Sequence, residues 1–470
     1  MPNSILSKRW PWLTAAALVV LAAMSTLITI RWGDPRPVGS AEDIAELATR
    51  SDLNVLFILI DTLRSDRLGS YGYERDTSPT LDRLASRGVR FARQLSQSSW
   101  TKASMASLWT ALYPNRTGVT RFNDVLADEG VESPAEILRD AGFRTAGIYR
   151  NGWVAPYFGF KQGFEVYDRP SRQRAAPAVI KKNPTVSKGG TDEDIVDSAV
   201  EFLRVHGRER WFLYLHLMDL HEYTYDEQSA LFGSAYSDIY DNSIRWVDGT
   251  LDILLGHLAD QGYLENTLIV IASDHGEAFG ERGLEGHARF LYRETTEVPL
   301  IFVFPFKLEP GVVVNARTRN VDIWPTILDL LKLPAIPEAD GRSRVAEILA
   351  AARGEPMPDD GEPGFAHLDR HWGQREKDPM PTVAVTEGPY RYLRIPVQDE
   401  PAREELFDAG EDPAELDNLI DTRPEVAARL RSQIDRYLEN TQPPGETTPA
   451  PLEIDEMQLN QLRALGYRVP

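Results

Sequence analysis

The chain has 470 residues, of which 42% are hydrophobic and 26% are charged, so it is long enough for a large core and has an ordinary globular composition. Its formal net charge of −20 argues against nucleic acid as a partner, because so acidic a chain would not neutralise a phosphate backbone. The absence of cysteine excludes disulfide bonds, thiolate metal ligands and cysteine nucleophiles.

An apolar run at residues 13–30 is the first predicted element. At about 1.5 Å per residue its length is about 27 Å, close to one bilayer core. Two basic residues precede the run and tryptophans lie at both of its ends: Lys8, Arg9, Trp10, Trp12 and Trp32. The pattern predicts a single-pass protein of the cell membrane, bound to the lipid bilayer by this anchor. The alternative is a cleaved signal peptide, whose apolar region would be shorter and followed by a small-x-small site.

The membrane prediction divides the N-terminal part of the chain into three segments. Residues 1–12 are expected in the cytoplasm, residues 13–30 in the membrane, and residues 31–52 form a tether with a short helical piece. The rest, including the catalytic domain, is expected outside the cytoplasm, in a periplasmic or extracellular space.

Strand-like and helical patterns alternate through residues 53–352. Strands are predicted at 54–60, 145–149, 211–215, 267–272 and 298–304, and helices at 79–88, 134–142, 192–204 and 238–261. Segment 298–304 is the last clear buried strand. This alternation predicts an α/β fold with a mainly parallel sheet and helices on both faces.

The C-terminal part of the chain has a different pattern. Residues 353–364, rich in proline, glycine and acidic residues, indicate a linker. A small α+β subdomain follows at 365–440, with two short antiparallel strands within 382–396 and a helix at 423–440. Residues 441–470 are predicted to be a tail.

Polar and ionisable side chains follow four of the predicted strands. They are Asp61; Arg150 and Asn151; His216, Asp219 and His221; and Ser273, Asp274 and His275. In open α/β sheets, ligands bind beyond the carboxyl ends of the strands. A carboxylate oxygen beside an imidazole nitrogen, as in Asp274-His275, suits a divalent metal. Alternatively, Asp274-His275 lies in an ordinary turn. His216 and His221 would then be core histidines whose hydrogen bonds are made within the protein.

A hydroxyl-rich segment at residues 98–104 precedes a helical pattern at 105–112. Serine and threonine there could simply cap the helix. The same geometry could instead place a hydroxyl nucleophile against the free N–H groups and positive dipole end, where an anionic ester would also bind. A metal ion would activate that hydroxyl further.

Several segments, taken in chain order, carry a family resemblance. They are Ile60–Gly69, Ser78–Ala85, Trp100–Ser104 with Thr110–Pro114, His216–His221, Ser273–Glu277 with Gly286-His287, and Glu405–Asp408 with Asn418-Leu419. They resemble the motifs of the sulfatase family of the alkaline phosphatase superfamily, over about residues 52–440.

The resemblance implies a role for each matching residue. Asp61, Asp274 and His275 would hold one divalent metal ion (Mn, Mg, Ca or Zn), with Thr101 as nucleophile and fourth ligand. His221 and His287 would bind the ester oxygens or protonate the leaving group. Supporting positions are expected for His216, for Asn151, and for Arg64 through a salt bridge.

The chain departs from the family at its nucleophile block. Sulfatases have a cysteine or serine that is oxidised to formylglycine, whereas this chain has Thr101, with Ala103 and Met105 at the block's proline and arginine. Thr62 replaces the second aspartate of the usual pair. Oxidation of threonine would give a ketone rather than an aldehyde, so no formylglycine is expected. A threonine nucleophile is similar to that of phosphoethanolamine and phosphoglycerol transferases.

The expected function is therefore that of a membrane-anchored, metal-dependent hydrolase of phosphate- or sulfate-type esters, with phosphoesters favoured. Its partner would be an anionic ester on an envelope glycan or lipid. One alternative is a transferase to an envelope sugar or lipid. Another is an inactive binding module, for which Ala103 and Met105 would mark decay of the site.

Overall fold

The computed structural model describes residues 34–126, 131–170, 190–356, 361–374 and 376–441. Its α-helices are α1 Ala41–Ala45, α2 Pro79–Ala85, α3 Thr101–Thr110, α4 Pro114–Thr117, α5 Pro134–Asp140, α6 Asp192–His206, α7 Tyr236–Asp260, α8 Arg293–Thr296, α9 Ile323–Leu330, α10 Val345–Ala352 and α11 Pro424–Glu439. Its strands are β1 Asn54–Ile60, β2 Val89–Leu95, β3 Arg144–Tyr149, β4 Val166–Asp168, β5 Trp211–Leu217, β6 Thr267–Ala272, β7 Ala278–Phe279, β8 Glu285–Gly286, β9 Glu297–Val298, β10 Leu300–Val303, β11 Val312–Arg319, β12 Gly364–Asp369, β13 Pro381–Glu387, β14 Tyr390–Val397 and β15 Glu400–Asp408.

A mainly parallel sheet forms the centre of the molecule. Its strand order is β11-β2-β10-β6-β1-β5-β3-β4, with β9 paired to β2. Pairing is parallel except where β10 meets β2 and β6 and where β9 meets β2. The predicted α/β class is confirmed.

Side chains of β1 show why helices cover both faces of the sheet. Successive residues of a strand point to opposite faces, and all seven residues of β1 are buried. Val55, Phe57 and Leu59 pack into one core with residues of α3, α5 and α9. The alternate residues of the strand pack into the other core with residues of α2, α6 and α7: Leu56, Ile58 and Ile60.

The four strands that carry the polar residues of interest are neighbours. β6, β1, β5 and β3 lie side by side, and each pair is parallel. Their carboxyl ends therefore share one edge of the sheet, as the sequence pattern predicts, and the residues that follow them meet there.

A second sheet follows near the C-terminus. β12, β13, β14 and β15 form an antiparallel sheet, so the two strands predicted within 382–396 are the inner pair of four. α11 packs on one face of this sheet, through Leu430 and Ile434. The other face joins the main core through Ala384, Leu393 and Phe407. The subdomain is thereby packed against the catalytic core.

Three strands of the central sheet were not predicted, β2, β4 and β11, and segment 298–304 is not the last strand of that sheet. That segment splits into β9 and the antiparallel β10, and β11 follows at the edge of the sheet. β2 and β11 interleave arginine, asparagine, glutamine and threonine with apolar residues, and both are only partly buried. Such sequences lack the continuous apolar run that marks a central parallel strand.

The prediction of a single-pass membrane protein is contradicted. In the part of the chain that the structure describes, no helix is both long and apolar enough to cross a membrane. The segments predicted as cytoplasmic end (1–12), anchor (13–30) and, beyond Thr441, tail lie outside the described residues. Within the predicted tether, Ile44 and Leu47 are buried in the main core.

Trp324 on α9 offers a test of the aromatic core under the sheet. Its buried indole lies 5.1 Å from Trp109, 5.2 Å from Phe57 and 5.3 Å from Phe212, measured between ring centroids. We expect Trp324→Ala to lower the free energy of unfolding by about 3–5 kcal/mol, because it leaves a large cavity. Denaturant titration measures the change. The control, Ile253→Ala, truncates a side chain that is 64% exposed and should cost less than about 0.5 kcal/mol.

Candidate active site

Three fully buried side chains meet at the carboxyl edge of the sheet. Asp61 follows β1, and Asp274 and His275 follow β6. One ligand atom from each lies within 4.8 Å of the others. His275 Nε2 is 3.4 Å from an Asp274 oxygen and 3.7 Å from an Asp61 oxygen. The sequence-predicted metal ligands are therefore brought together in space.

One oxygen of Asp61 is held by two donors. Asp61 Oδ2 accepts hydrogen bonds from His216 Nε2 at 3.0 Å and from Asn151 Nδ2 at 2.6 Å. Because the Asp61 carboxylate can only accept, the His216 proton lies on Nε2, and Nδ1 accepts from the Tyr214 hydroxyl at 2.6 Å. The other oxygen, Oδ1, is buried and has no hydrogen-bond partner among the described residues. The carboxylate thus presents Oδ1 to the cluster.

Asp274 and His275 are oriented in the same way. Asp274 Oδ1 accepts from the Thr62 backbone N–H at 3.3 Å, and Oδ2 has no partner in the described part of the chain. His275 Nδ1 lies 3.0 Å from the Gly276 carbonyl oxygen, which can only accept, so Nδ1 carries the proton. The lone pair of Nε2 then faces the two carboxylates, as a metal-binding histidine requires.

The charges of this cluster suit a divalent cation. Burial and the neighbouring Asp61 charge raise the pKa of Asp274. Burial also acts to raise the pKa of Asp61, but the His216 hydrogen bond and the nearby imidazoles lower it below its usual value. Two buried carboxylates repel each other, and each has one unsatisfied oxygen. A hard cation would relieve both problems, so the donor set fits a metal such as Mg²⁺, Mn²⁺, Ca²⁺ or Zn²⁺.

Thr101 lies beside this cluster as the first residue of α3. Its hydroxyl is 3.1 Å from His275 Nε2 and 3.4 Å from Asn151 Nδ2. The capping interpretation is wrong for Thr101, because the N-cap residue is Trp100 and no side chain caps the helix. The Ser104 hydroxyl donates to the Asp274 backbone oxygen at 2.6 Å, which fixes the helix to the end of β6.

Two further histidines extend the cluster. The ring of His287 stacks on that of His275 at 4.6 Å, and the ring of His221 lies 5.0 Å from His287. His287 Nδ1 is 2.9 Å from the buried Glu277 carboxylate. Burial lowers the pKa of His287, but Glu277 outweighs it and the net shift is upward. Burial lowers the pKa of His221 to about 4, so this ring is neutral at neutral pH.

Two buried arginines stand around the site rather than in it. Arg64 donates to the Glu277 carbonyl at 2.8 Å and pairs with Asp66 and Glu281 at 2.7 Å. Arg150 pairs with Asp192 at 3.1 Å and with Asp219, which follows β5. Arg64 and Arg150 therefore brace the loops that carry the histidines.

Three residues in the site were not assigned a role from the sequence. Tyr214 precedes His216 by two, so both share one face of β5, and that spacing could have indicated their contact. Glu277 is a buried acid within a motif already noted, and its partner His287 is remote in sequence. Thr62 holds a left-handed backbone with φ of +63°, which turns its N–H toward Asp274, and nothing in the sequence signals this.

Comparison with known proteins agrees with this architecture. Residues 53–333 match the family model described as "Sulfatase", and residues 280–442 match "N-sulphoglucosamine sulphohydrolase, C-terminal". An N-acetylgalactosamine-6-O-sulfatase of Bacteroides thetaiotaomicron is 23% identical over 80% of this chain and 91% of its own length. A choline-sulfatase of Rhizobium meliloti is 25% identical, covering 78% of this chain and 82% of its own.

A solved structure extends the likeness of fold to another type of ester hydrolase. The phosphonate monoester hydrolase of Agrobacterium radiobacter superposes with a TM-score of 0.65 at 18% identity, over 83% of this chain and 96% of that one. At that identity the likeness concerns the fold alone. The sulfatase model, in contrast, covers more than half of the present chain and spans every strand end of the site. The chain therefore belongs to the sulfatase family of hydrolases.

Proposed function

We propose that this protein is a metal-dependent hydrolase of anionic esters that uses Thr101 as its nucleophile, with phosphoesters favoured over sulfate esters. One observation carries the proposal. The Thr101 hydroxyl lies 3.1 Å from His275 Nε2, beside the unsatisfied oxygens of two buried carboxylates. Nucleophile and metal ligands thus occupy one point at the ligand-binding edge of the sheet.

The metal would be held by Asp61 Oδ1, Asp274 Oδ2 and His275 Nε2, with the Thr101 hydroxyl beside them. When bound, such an ion makes a neighbouring hydroxyl more acidic and draws electron density from the oxygens of an ester. Asn151 holds both Asp61 and the Thr101 oxygen in place. The position of Thr101 at the start of α3 adds the positive end of the helix dipole, which favours an anionic substrate.

Thr101 would attack the central atom of the ester in line with the leaving oxygen. The Thr101 hydroxyl gives up its proton to solvent as a bond forms from Oγ1 to phosphorus, the bond from phosphorus to the leaving oxygen breaks, and the leaving oxygen takes a proton. Water then attacks the threonyl ester at phosphorus, releases phosphate and restores the Thr101 hydroxyl. Transfer to an alcohol in place of water would make the enzyme a transferase.

His287 is the proposed proton donor to the leaving group. Its contact with Glu277 favours the imidazolium form, whereas the pKa of His221, at about 4, leaves that ring neutral. The neutral His221 ring is assigned to hydrogen bonding with an ester oxygen. The two rings thereby take different roles because their surroundings differ in charge.

The chemistry of Thr101 favours phosphoesters. Threonine cannot give the aldehyde that formylglycine-dependent sulfate cleavage needs, and Thr101 occupies the position where sulfatases have the cysteine or serine that is oxidised. A threonyl ester must be hydrolysed by a second attack at the central atom. The second candidate is sulfate-ester hydrolysis, which family membership and the sulfatase names of the two relatives favour.

Metal binding is tested with Asp274→Asn. Chelator-treated wild-type protein should gain about 2.7 kcal/mol of unfolding free energy when Mn²⁺, Mg²⁺, Ca²⁺ or Zn²⁺ is present at 100 times its Kd. The variant should lose this gain, since it lacks one charged ligand, while its metal-free stability holds or rises because the repulsion with Asp61 is gone. Denaturant titration measures both. The control, Asp252→Asn, changes an exposed acid; an equal gain in Asp274→Asn would contradict the site.

Thr101→Ala tests the nucleophile. Turnover of 4-nitrophenyl phosphate, phenyl phosphonate and sulfate esters should fall by on the order of 10³-fold or more, while metal affinity changes little. Ser99→Ala, which removes a nearby hydroxyl, should retain activity. Mass spectrometry should find a phosphoryl adduct on Thr101 of the wild type after incubation with the phosphoester. Sulfate release that does not depend on Thr101 would select the second candidate.

His287→Ala tests proton donation. We expect a loss of about 10²–10⁴-fold for an alkyl ester but a much smaller loss for the 4-nitrophenyl ester, whose leaving group needs no proton. Glu277→Gln should show a weaker form of the same difference. His206→Ala is the matched control, because His206 also contacts a glutamate, Glu209 at 2.7 Å, outside the site. Equal losses for both esters in His287→Ala would reject the role.

A further inference from the structure

Trp372 connects the C-terminal subdomain to the nucleophile and to the proposed proton donor. It lies in the segment between β12 and β13, and its side chain is half-buried against the main core. Its backbone N–H donates to the Asp369 carbonyl at 3.1 Å, and its own carbonyl accepts from the Phe122 N–H at 2.7 Å. The backbone of Trp372 is therefore held from both sides, which gives its indole a defined position.

The ring of Trp372 packs against the residue before the nucleophile. It stacks on Trp100 with 4.6 Å between the ring centroids and 26° between the ring planes. Trp100 is buried and is the N-cap residue of α3, so its position determines where Thr101 begins the helix. The Trp372 ring also meets Trp153 edge-on at 5.9 Å. The Trp153 N–H donates to Asn151 at 2.8 Å, and Asn151 in turn donates to the Thr101 hydroxyl oxygen at 3.4 Å.

The indole N–H of Trp372 holds the residue that follows the proposed proton donor. Nε1 donates to the Ala288 carbonyl at 3.1 Å, and the Ala288 N–H donates to the Ser99 carbonyl at 2.8 Å. Ala288 has a left-handed backbone with φ of +56°. This conformation is unfavourable for a residue with a Cβ and persists only where the surroundings impose it. The hydrogen bonds to the N–H and to the carbonyl of Ala288 supply that restraint.

His287 depends on this restraint because it lies between two left-handed residues. Gly286 precedes it with φ of +84°, and Ala288 follows it. Glycine adopts such a conformation freely and alanine does not, so the alanine side of the turn is the one that needs support. The ring of His287 stacks on that of His275 at 4.6 Å and lies 2.9 Å from the Glu277 carboxylate. A rotation of the backbone at Ala288 would break this arrangement.

We propose that Trp372 is a positioning residue that sets the His287 proton donor at the correct distance from the Thr101 nucleophile. The inference rests on the proposed function, which gives those two residues their roles. The ring face supports the start of α3 and the indole N–H supports the turn after His287, so one rigid side chain contacts the supports of both groups. In-line attack with protonation of the leaving oxygen needs the two groups at a set separation, and small misplacements cost large factors in rate.

Trp372→Phe tests the proposal, because phenylalanine keeps a ring against Trp100 but has no N–H for the Ala288 carbonyl. We expect kcat/KM to fall about tenfold for ethyl phosphate and by less than about twofold for 4-nitrophenyl phosphate, whose leaving group needs no proton. Trp372→Ala also removes the ring, and it should lower kcat/KM for both esters by about tenfold or more. Steady-state kinetics with the two esters measure both effects.

Tyr113→Phe is the matched control. The Tyr113 hydroxyl donates to the Pro363 carbonyl at 3.1 Å, so this variant also loses a hydrogen bond from an aromatic side chain to a backbone carbonyl. Tyr113 lies beyond the far end of α3, and its loss should leave the ratio of the two rates unchanged. A residue with a merely structural role would lower both rates equally in Trp372→Phe, and that result would overturn the proposal.

Hydrogen exchange of the full chain without substrate keeps this test separate from the proposed function. The Ala288 amide should exchange about tenfold faster in Trp372→Phe than in the wild type and should be unaffected in Tyr113→Phe, as read by mass spectrometry. If the wild type hydrolyses neither ester but this increase occurs, the proposed function fails and the support of the His287 turn by Trp372 stands. If Thr101-dependent turnover is found but the Ala288 amide exchanges at the wild-type rate in Trp372→Phe, the function stands and Trp372 loses its role.

Discussion

The burial of two carboxylates side by side is the constraint on which the rest of this structure depends. Asp61 and Asp274 are fully buried at the ends of neighbouring strands, where charge burial is costly unless it is compensated. Each carboxylate has one oxygen held by donors from the protein and one oxygen without a partner among the described residues. Because both free oxygens face the lone pair of His275, the three groups form the donor set that the proposed metal ion would need.

The same contacts tie the site to the hydrophobic core. Tyr214 packs against Trp109 at 5.0 Å and also orients His216, which in turn orients Asp61. Trp109 lies on α3, the helix that begins with Thr101. Core packing on this face of the sheet therefore positions both the candidate nucleophile and a candidate metal ligand, so a change in the core can alter the chemistry without touching the substrate.

The position of the C-terminal sheet gives it a part in the site as well. Arg391 and Glu405 hold the loop that carries His287. Contacts from the C-terminal sheet therefore fix the loop that carries the proposed proton donor.

Local sequence was sufficient for the buried parallel strands, because the short, β-branched apolar runs of β1 and β6 are typical of strands buried on both faces. Residues that follow parallel strands lie at the carboxyl edge of their sheet. Local sequence failed for β2 and β11, whose polar residues hide their strand character, and it left helix capping open as an alternative role for Thr101. By itself the sequence determined the α/β architecture and the residues that gather at one edge. Only the tertiary structure decided which oxygen of each carboxylate stays free, that Glu277 meets His287, and that Arg391 holds the loop before α8, because these depend on side-chain orientation and on contacts between segments far apart in the chain.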